Sequence, residues 1–151
     1  KGYFEVSGMR SDGIGTSIGI GKYVRMMFED SGIVFERKNH YIRKRAAIPC
    51  FASATPEERE RMISSNPLYG RVICRCETVT EAEIVQAIHR IPGAETVDGI
   101  KRRLRAGMGR CQGGFCAPKV MEILCRELGK DSIEILKNNL GSNMISGHSR
   151  N

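Results

Sequence analysis

The most regular pattern of apolar positions lies between residues 117 and 128. Apolar side chains recur there at intervals of three and four, at Ala117, Val120, Met121, Leu124, Cys125 and Leu128. This spacing places one apolar stripe along a helix and leaves the opposite face polar. Gly129 follows directly, in the position where glycine ends many helices. The pattern therefore predicts an amphipathic helix that packs one face against a core.

Two capping boxes predict the starts of two further helices. Thr55-Pro56-Glu57-Glu58 and Thr80-Glu81-Ala82-Glu83 each place a glutamate three residues after a threonine. In this arrangement side chain and backbone cap each other reciprocally. We expect the first helix to run to about Ser64, before Asn66-Pro67, and the second to run to about Arg90.

The rest of the C-terminal two thirds adds an extended segment and two helices. Residues 72–76 have an extended pattern, and residues 96–107 predict a helix whose apolar positions share one face. A last helix is predicted near residues 132–140. A polar segment rich in Gly and Ser follows it.

The N-terminal third has a different pattern. Tyr3–Val6 predict a strand, residues 8–21 form a segment rich in Gly and Ser, and residues 20–28 carry apolar side chains at helical spacing. Ser31-Gly32 ends that helix. Residues 36–54 are basic and irregular, which is typical of a connector.

These elements divide the chain into four pieces. Residues 1–50 read as an incomplete α/β piece with its connector, 51–69 as a linker helix, 70–140 as a compact helical domain and 141–151 as a polar tail. The predicted fold class is mainly α, with a small helical domain preceded by an incomplete α/β remnant. Because the chain opens on a strand pattern without a methionine, we expect it to be part of a longer protein.

Composition excludes some classes of protein. No apolar run approaches the roughly 20 residues of a membrane span, and the N-terminus lacks the basic and apolar regions of a signal peptide. We therefore expect a cytoplasmic protein, with any membrane association made through a partner subunit. The net charge of +7 is compatible with nucleic acid, acidic proteins, anionic lipid or an anionic cofactor.

Four of the six cysteines form two tight pairs. Cys74 and Cys76 are spaced C-x-C, and Cys111 and Cys116 are spaced C-x4-C; these four are called the cysteine tetrad below. The intervening residues suffice for two short helices that bring the pairs together around one metal centre. Four sulfur ligands suit zinc or iron–sulfur alike, and C-x-C is tighter than the usual zinc spacing. The spacing favours iron–sulfur, leaves zinc open, and makes disulfides the least favoured interpretation.

The surroundings of the tetrad support an anionic centre. Gly113 and Gly114 let backbone N–H groups approach sulfur, and Cys116 begins a helix whose positive dipole end favours thiolate. Basic residues precede Cys111, namely Lys101, Arg102, Arg103, Arg105 and Arg110. Of the two other cysteines, we expect Cys125 to be a core residue and Cys50 to ligate nothing.

Three segments carry a family resemblance. Ile73-Cys74-Arg75-Cys76-Glu77, Thr80-Glu81-Ala82-Glu83-Ile84 and the stretch 105–116, Arg-Ala-Gly-Met-Gly-Arg-Cys-Gln-Gly-Gly-Phe-Cys, closely resemble the bacterioferritin-associated-ferredoxin-like (BFD-like) [2Fe–2S] domain. The resemblance covers roughly residues 70–130. It implies that all four members of the tetrad ligate a [2Fe–2S] cluster.

The segment from Gly8 to Ser17 resembles a different family. It is similar to the last flavin-contacting loop of the D-amino-acid-oxidase-like FAD family, where a turn leads into a helix beside the flavin. Gly15 stands where that family usually has Thr, and Gly19 lies near a usual Pro. The resemblance implies that Arg10 points toward the substrate. It also implies FAD contacts in the intact enzyme from Gly13, Ile14, Gly15 and Thr16.

The order of the two segments resembles the C-terminal part of FAD-dependent dehydrogenases such as anaerobic glycerol-3-phosphate dehydrogenase. Opine, sarcosine and hydrogen-cyanide-forming oxidoreductases use a similar cysteine module. The resemblance implies an electron-transfer module that relays electrons from flavin to an acceptor protein or quinone-linked partner. A small-molecule substrate would bind upstream. Since no strand is followed by G-x-G-x-x-G, we expect no catalysis from this chain alone.

Three alternatives remain at this point. A free-standing ferredoxin-like carrier would have no use for the flavin loop. A structural zinc module would use the same cysteines. A nucleic-acid-binding module is suggested by Ile91-Pro92-Gly93-Ala94, which resembles a helix–hairpin–helix turn, together with the net charge of +7. We expect no nucleic-acid partner, because that interpretation leaves the cysteine tetrad unexplained.

Overall fold

The computed structural model describes residues 3–42 and 44–147. The chain divides into two compact units, residues 1–45 and 46–151. No helix of the described part is both long and apolar enough to cross a membrane. The described helices and the single small sheet confirm the predicted, mainly α fold class.

The first unit is built on one long helix, α1, which spans Gly13–Asp30. Phe28 on this helix packs between two aromatic side chains, with ring centroids 4.1 Å from Phe4 and 5.8 Å from Phe35. The helix begins at Gly13, well before the predicted start near Ile20. The strand predicted for Tyr3–Val6 is wrong, since this segment pairs with no other described strand and a lone strand leaves its backbone groups unpaired.

The second unit opens with two short helices and a small hairpin. Helix α2 spans Pro56–Ser65 and a 3-10 helix spans Pro67–Gly70. Strands β1, Val72–Cys74, and β2, Val79–Thr80, pair antiparallel with Val72 opposite Thr80 and Cys74 opposite Val79. The hairpin thus places the first cysteine pair at its turn.

Three helices form the body of this unit. They are α3 (Glu81–His89), α4 (Val97–Leu104) and α5 (Ala117–Leu128). Both predicted capping boxes are present, one at the start of α2 and one at the start of α3. Gly129 ends α5 with a left-handed φ of 64°, as the apolar pattern predicts.

The core lies where these helices meet. Ile84 of α3, Ile100 of α4 and Leu124 of α5 are each 0% exposed. Ile135, from the segment after α5, is buried to the same extent. The core is made of aliphatic side chains, in agreement with the absence of Trp.

The helix predicted near residues 132–140 is wrong. This segment forms turns and a single antiparallel bridge between Leu136 and Asn143. Its carbonyl groups accept from the first turn of α4, with Val97 N–H to Leu136 O at 3.2 Å and Asp98 N–H to Lys137 O at 2.8 Å. Because the start of a helix leaves N–H groups unpaired, an irregular segment that supplies acceptors stabilises α4 better than another helix would.

A second apolar cluster fixes the segment that precedes the hairpin. Phe51 stacks on Tyr69 with ring centroids 6.3 Å apart. The buried carboxylate of Glu83 accepts from the N–H of Phe51 at 3.1 Å and from the N–H and hydroxyl of Thr80, both at 2.7 Å. One glutamate therefore caps α3 and holds the preceding segment against it.

Candidate metal centre

The fold brings all four members of the cysteine tetrad to one cavity of about 430 Å³. Cys74 ends β1, Cys76 lies in the hairpin turn, and Cys111 and Cys116 flank the loop that leads into α5. Cys74 and Cys116 are 1% and 2% exposed, whereas Cys76 is exposed. The cavity thus has two thiols on its inner wall and an open side at Cys76.

The four sulfurs occur as two neighbouring pairs. Cys76 Sγ lies 3.6 Å from Cys111 Sγ, and Cys116 interacts with Cys74. Within residues 3–42 and 44–147, no three His, Cys, Asp or Glu side chains converge closely enough to hold one metal ion. None of the six cysteines forms a disulfide. The four thiols therefore meet at the cavity as two neighbouring pairs, each with one cysteine from each loop.

The pKa values of Cys111 and Cys116 are shifted in opposite directions. Backbone N–H groups of Phe115 and Gly113 hydrogen-bond to the Cys111 sulfur and lower its pKa. Burial, followed by the nearby charge of Cys74, raises the pKa of Cys116 to about 11. Four adjacent thiolates repel one another unless a cation lies among them. At Cys116, burial therefore outweighs the predicted effect of the helix dipole, whereas N–H groups of the predicted glycine loop favour thiolate at Cys111.

Gly109 is required by the close approach of the two cysteine loops. A Cβ built at this position would collide with Cys76 Cβ and would lie 3.4 Å from its sulfur. Two further glycines of the same loop have left-handed backbone, Gly107 with φ 87° and Gly113 with φ 89°. Packing against Cys76 therefore requires glycine at 109, and the left-handed backbone favours it at 107 and 113.

An ion pair joins the two cysteine loops. Arg105 Nε lies 2.7 Å from Glu77 Oε2, and Glu77 directly follows Cys76. Arg105 has a left-handed φ of 67° at the end of α4, which turns its side chain back toward the hairpin. Arg105 is one of the cations predicted near the tetrad. It contacts Glu77, the residue next to Cys76.

The other predicted cations are divided between the cavity and the helix surface. Arg110 lines the cavity. Arg102 pairs with Asp98 at 3.9 Å, and Arg103 donates to the carbonyls of Pro92, Gly93 and Gly99. Lys101 lines a smaller depression beside Cys116. Only part of the basic run therefore lies beside the sulfurs.

Four further side chains line the cavity, and the sequence patterns did not single them out as site residues. They are Ile73, Arg75, Phe115 and Lys119. The signal that could have identified them is position: Arg75 lies between two cysteines, Phe115 precedes one, and Lys119 lies one turn into α5. Phe115 is 84% exposed, which is unusual for a phenylalanine.

The two remaining cysteines lie outside the cavity. Cys125 packs against the core, and burial raises its pKa, which confirms the prediction of a core residue. Cys50 is exposed and lines a separate depression with Pro49 and Met62.

The predicted flavin contacts lie in the first unit. Gly13, Ile14, Gly15 and Thr16 form the first turn of α1, and Arg10 is exposed in the segment before it. The Asp12 side chain does not cap this helix. A Cβ at Gly13 or Gly15 would meet nothing within 4 Å. The helix start therefore has uncapped N–H groups and room for a ligand, which fits an anionic edge of a flavin.

Comparison with known proteins identifies the cysteine region. Residues 72–126 match the family described as the BFD-like [2Fe-2S] binding domain. The chain is 46% identical over 147 residues to a glycerol 3-phosphate dehydrogenase of Caloramator mitchellensis, which is 97% of this chain and 31% of that protein. It is 33% identical over 104 residues to hydrogen cyanide synthase subunit HcnB of Pseudomonas aeruginosa, covering 68% and 22%.

A further relative is one of the subunits of the anaerobic glycerol-3-phosphate dehydrogenase of Escherichia coli (strain K12). It is 36% identical over 64 residues, which is 42% of this chain and 12% of that protein. No solved structure matches the chain. The chain spans less than a third of the length of each of these relatives. The comparisons show that residues 72–126 match the BFD-like family, and they confirm the chain's resemblance to glycerol-3-phosphate dehydrogenases.

Proposed function

We propose that the cysteine tetrad ligates a [2Fe–2S] cluster and that this chain is the electron-transfer module of an FAD-dependent oxidoreductase. The observation that carries the proposal is the gathering of four thiols, in two pairs, at one cavity within the stretch that matches the BFD-like family. When bound, such a cluster supplies one-electron transfer. The relatives' names extend the proposal to an enzyme of the glycerol-3-phosphate dehydrogenase type.

The residues of this chain have three tasks around the cluster. Cys74 and Cys116 lie on the buried side, which excludes water there. N–H groups of the 113–115 segment and the cations at the cavity stabilise negative charge on sulfur. Cys76 lies on the exposed side, so electron exchange with a partner takes the shortest path through that edge.

The flavin part of the proposal concerns the first turn of α1. In the protein that carries this chain, Gly13, Ile14, Gly15 and Thr16 would lie beside the edge of the flavin where negative charge develops on reduction. The N–H groups of the first three would face it, since the N–H of Thr16 donates to Asp12 O at 3.0 Å. Arg10 would lie on the substrate side. The substrate would be a small molecule bound mostly by residues outside this chain, and the acceptor would be a protein or a quinone-linked partner.

Replacement of single cysteines tests the ligand assignment. Protein prepared and reconstituted without oxygen should contain about two iron and two sulfide per chain. Cys74→Ser, Cys76→Ser, Cys111→Ser and Cys116→Ser should each lose most of both. Cys125→Ser and Cys50→Ser are the matched controls and should retain them. One zinc per chain without sulfide, even after anaerobic reconstitution, would contradict the proposal and leave a structural module.

Electron flow in the intact enzyme tests the flavin relay separately. Light-driven reduction of bound FAD, without added substrate, should be followed by bleaching of the cluster absorbance. A cluster that stays oxidised while the flavin is reduced would refute the relay but leave the ligand assignment standing.

A further inference from the structure

The open side of the cavity is surrounded by an exposed basic rim. Arg75, Arg110 and Lys119 line the cavity together with Phe115, and all four side chains are exposed; these four residues are called the cavity rim below. Among the described residues, no Asp or Glu lines the same cavity. The rim thus combines three positive charges with one exposed aromatic ring, next to the exposed thiol of Cys76.

The basic residues of the rim form no ion pair with a described carboxylate, unlike many other basic residues of the chain. Ion pairs elsewhere in the described part of the chain engage many of its cations, and none of them includes Arg75, Arg110 or Lys119. Even the carboxylate nearest in sequence, Glu77, is engaged by Arg105. No ion pair with a described carboxylate therefore neutralises the three rim cations, and they can attract an external anion as well as stabilise the sulfurs.

The exposure of Phe115 indicates contact with a protein surface. An 84% exposed phenyl ring leaves a large apolar area in water, which is unfavourable unless another surface covers it. Aromatic side chains surrounded by charged residues are typical of the centre of protein interfaces. The ring lies at the rim because residues 111–116 form the loop that leads into α5.

We propose that the cavity rim is the docking surface for the electron acceptor, and that this acceptor is a protein with an acidic patch around an apolar centre. The proposal rests on the proposed function, because it assigns the partner of the same cluster. Charge complementarity selects an acidic rather than a basic occupant. A partner that covers Phe115 would lie directly against the exposed edge of the tetrad, where the distance for electron transfer is short.

Binding of two haem proteins of opposite charge tests the docking surface. The probes are cytochrome b5, which is acidic, and cytochrome c, which is basic, titrated calorimetrically into the intact, cluster-loaded protein. We expect cytochrome b5 to bind in preference, with a Kd that rises with ionic strength. Arg75→Gln, Arg110→Gln and Lys119→Gln should each weaken binding about two- to fivefold, and Phe115→Ala about tenfold.

Arg61→Gln is the matched control for charge. Arg61 lines a separate depression with Pro49 and Met62, so this variant loses one positive charge outside the rim and should bind cytochrome b5 as the wild type does. Iron, sulfide and reduction potential are measured in every variant. Weaker binding by an iron-replete Phe115→Ala protein supports docking, since the phenyl ring carries no charge to stabilise the cluster.

Two outcomes would overturn the proposal. One is unchanged binding of cytochrome b5 by iron-replete rim variants. The other is protection of Phe115 from hydroxyl-radical oxidation in the free intact protein, which would show that another part of the same protein covers the rim. Neither outcome affects the proposed function. Its ligand assignment fails if the wild-type protein lacks iron and sulfide, and its flavin relay fails if the cluster stays oxidised while the flavin is reduced.

Discussion

Arg105 and Glu77 form a 2.7 Å ion pair that ties the loop of Cys111 to the hairpin of Cys76. Arg105 lies at the end of α4, where the chain enters the loop of the second cysteine pair. Glu77 directly follows a cysteine of the first pair. This ion pair therefore links the two halves of the tetrad.

Loss of this ion pair should loosen the site. For Arg105→Gln or Glu77→Gln we expect cluster release, followed by loss of visible absorbance in the presence of a chelator, to accelerate about two- to fivefold. This corresponds to about 0.5–1 kcal/mol for a partly exposed pair. The double exchange Arg105→Glu with Glu77→Arg should restore most of the retention. Failure of the exchange to restore it would show that the individual side chains, and not their pairing, matter.

Gly109→Ala should disrupt the site by steric conflict. The added Cβ would collide with Cys76 Cβ, so we expect loss of most iron and a decrease in the free energy of unfolding of about 1–3 kcal/mol. Gly70→Ala is the control, because a Cβ there meets only Ile63 at an ordinary 3.7 Å. Normal iron content in Gly109→Ala protein would contradict the packing described for Cys76.

The segment after α5 should contribute to stability although it is not helical. Ile135 is 0% exposed and Leu140 is 95% exposed. Ile135→Ala should lower the free energy of unfolding by about 2–5 kcal/mol, measured by urea denaturation. Leu140→Ala should change it by less than about 0.5 kcal/mol. Equal effects of the two substitutions would show that the segment does not pack as described.

Glu127 should make stability depend on acid pH. The hydrogen bond from His89, followed by that from Arg126, lowers the pKa of Glu127. A carboxylate with a lowered pKa in the folded state stabilises the fold fully above its unfolded pKa, about 4.3. This contribution is lost as pH falls through the lower folded value. Glu127→Gln should therefore be less stable than wild type near neutral pH, and the difference should shrink below about pH 4. A difference that stays constant with pH would contradict the assignment.

The residues that the sequence located correctly are those with strictly local signals. The two capping boxes and the apolar stripe before Gly129 each involve neighbours along the chain or one helical face. The extended Cys74 and the core position of Cys125 follow from the same patterns.

The errors involve contacts between distant parts of the chain. Residues 132–140 have a helical pattern, but their carbonyls are needed at the start of α4. Tyr3–Val6 have a strand pattern, but no described strand is available to pair with them. Arg75 and Lys119 reach the cavity because the hairpin and α5 meet there. No local sequence pattern shows that carbonyls of residues 132–140 accept hydrogen bonds from α4, or that the hairpin meets α5.

The most direct test of the central claim is electron paramagnetic resonance of the protein reduced with dithionite under anaerobic conditions. A [2Fe–2S] cluster held by the cysteine tetrad predicts a signal from a single unpaired electron that integrates to about one spin per chain. The signal should be absent from Cys74→Ser and Cys111→Ser and present in Cys125→Ser. A protein that contains stoichiometric zinc and gives no signal after reconstitution and reduction would contradict the account.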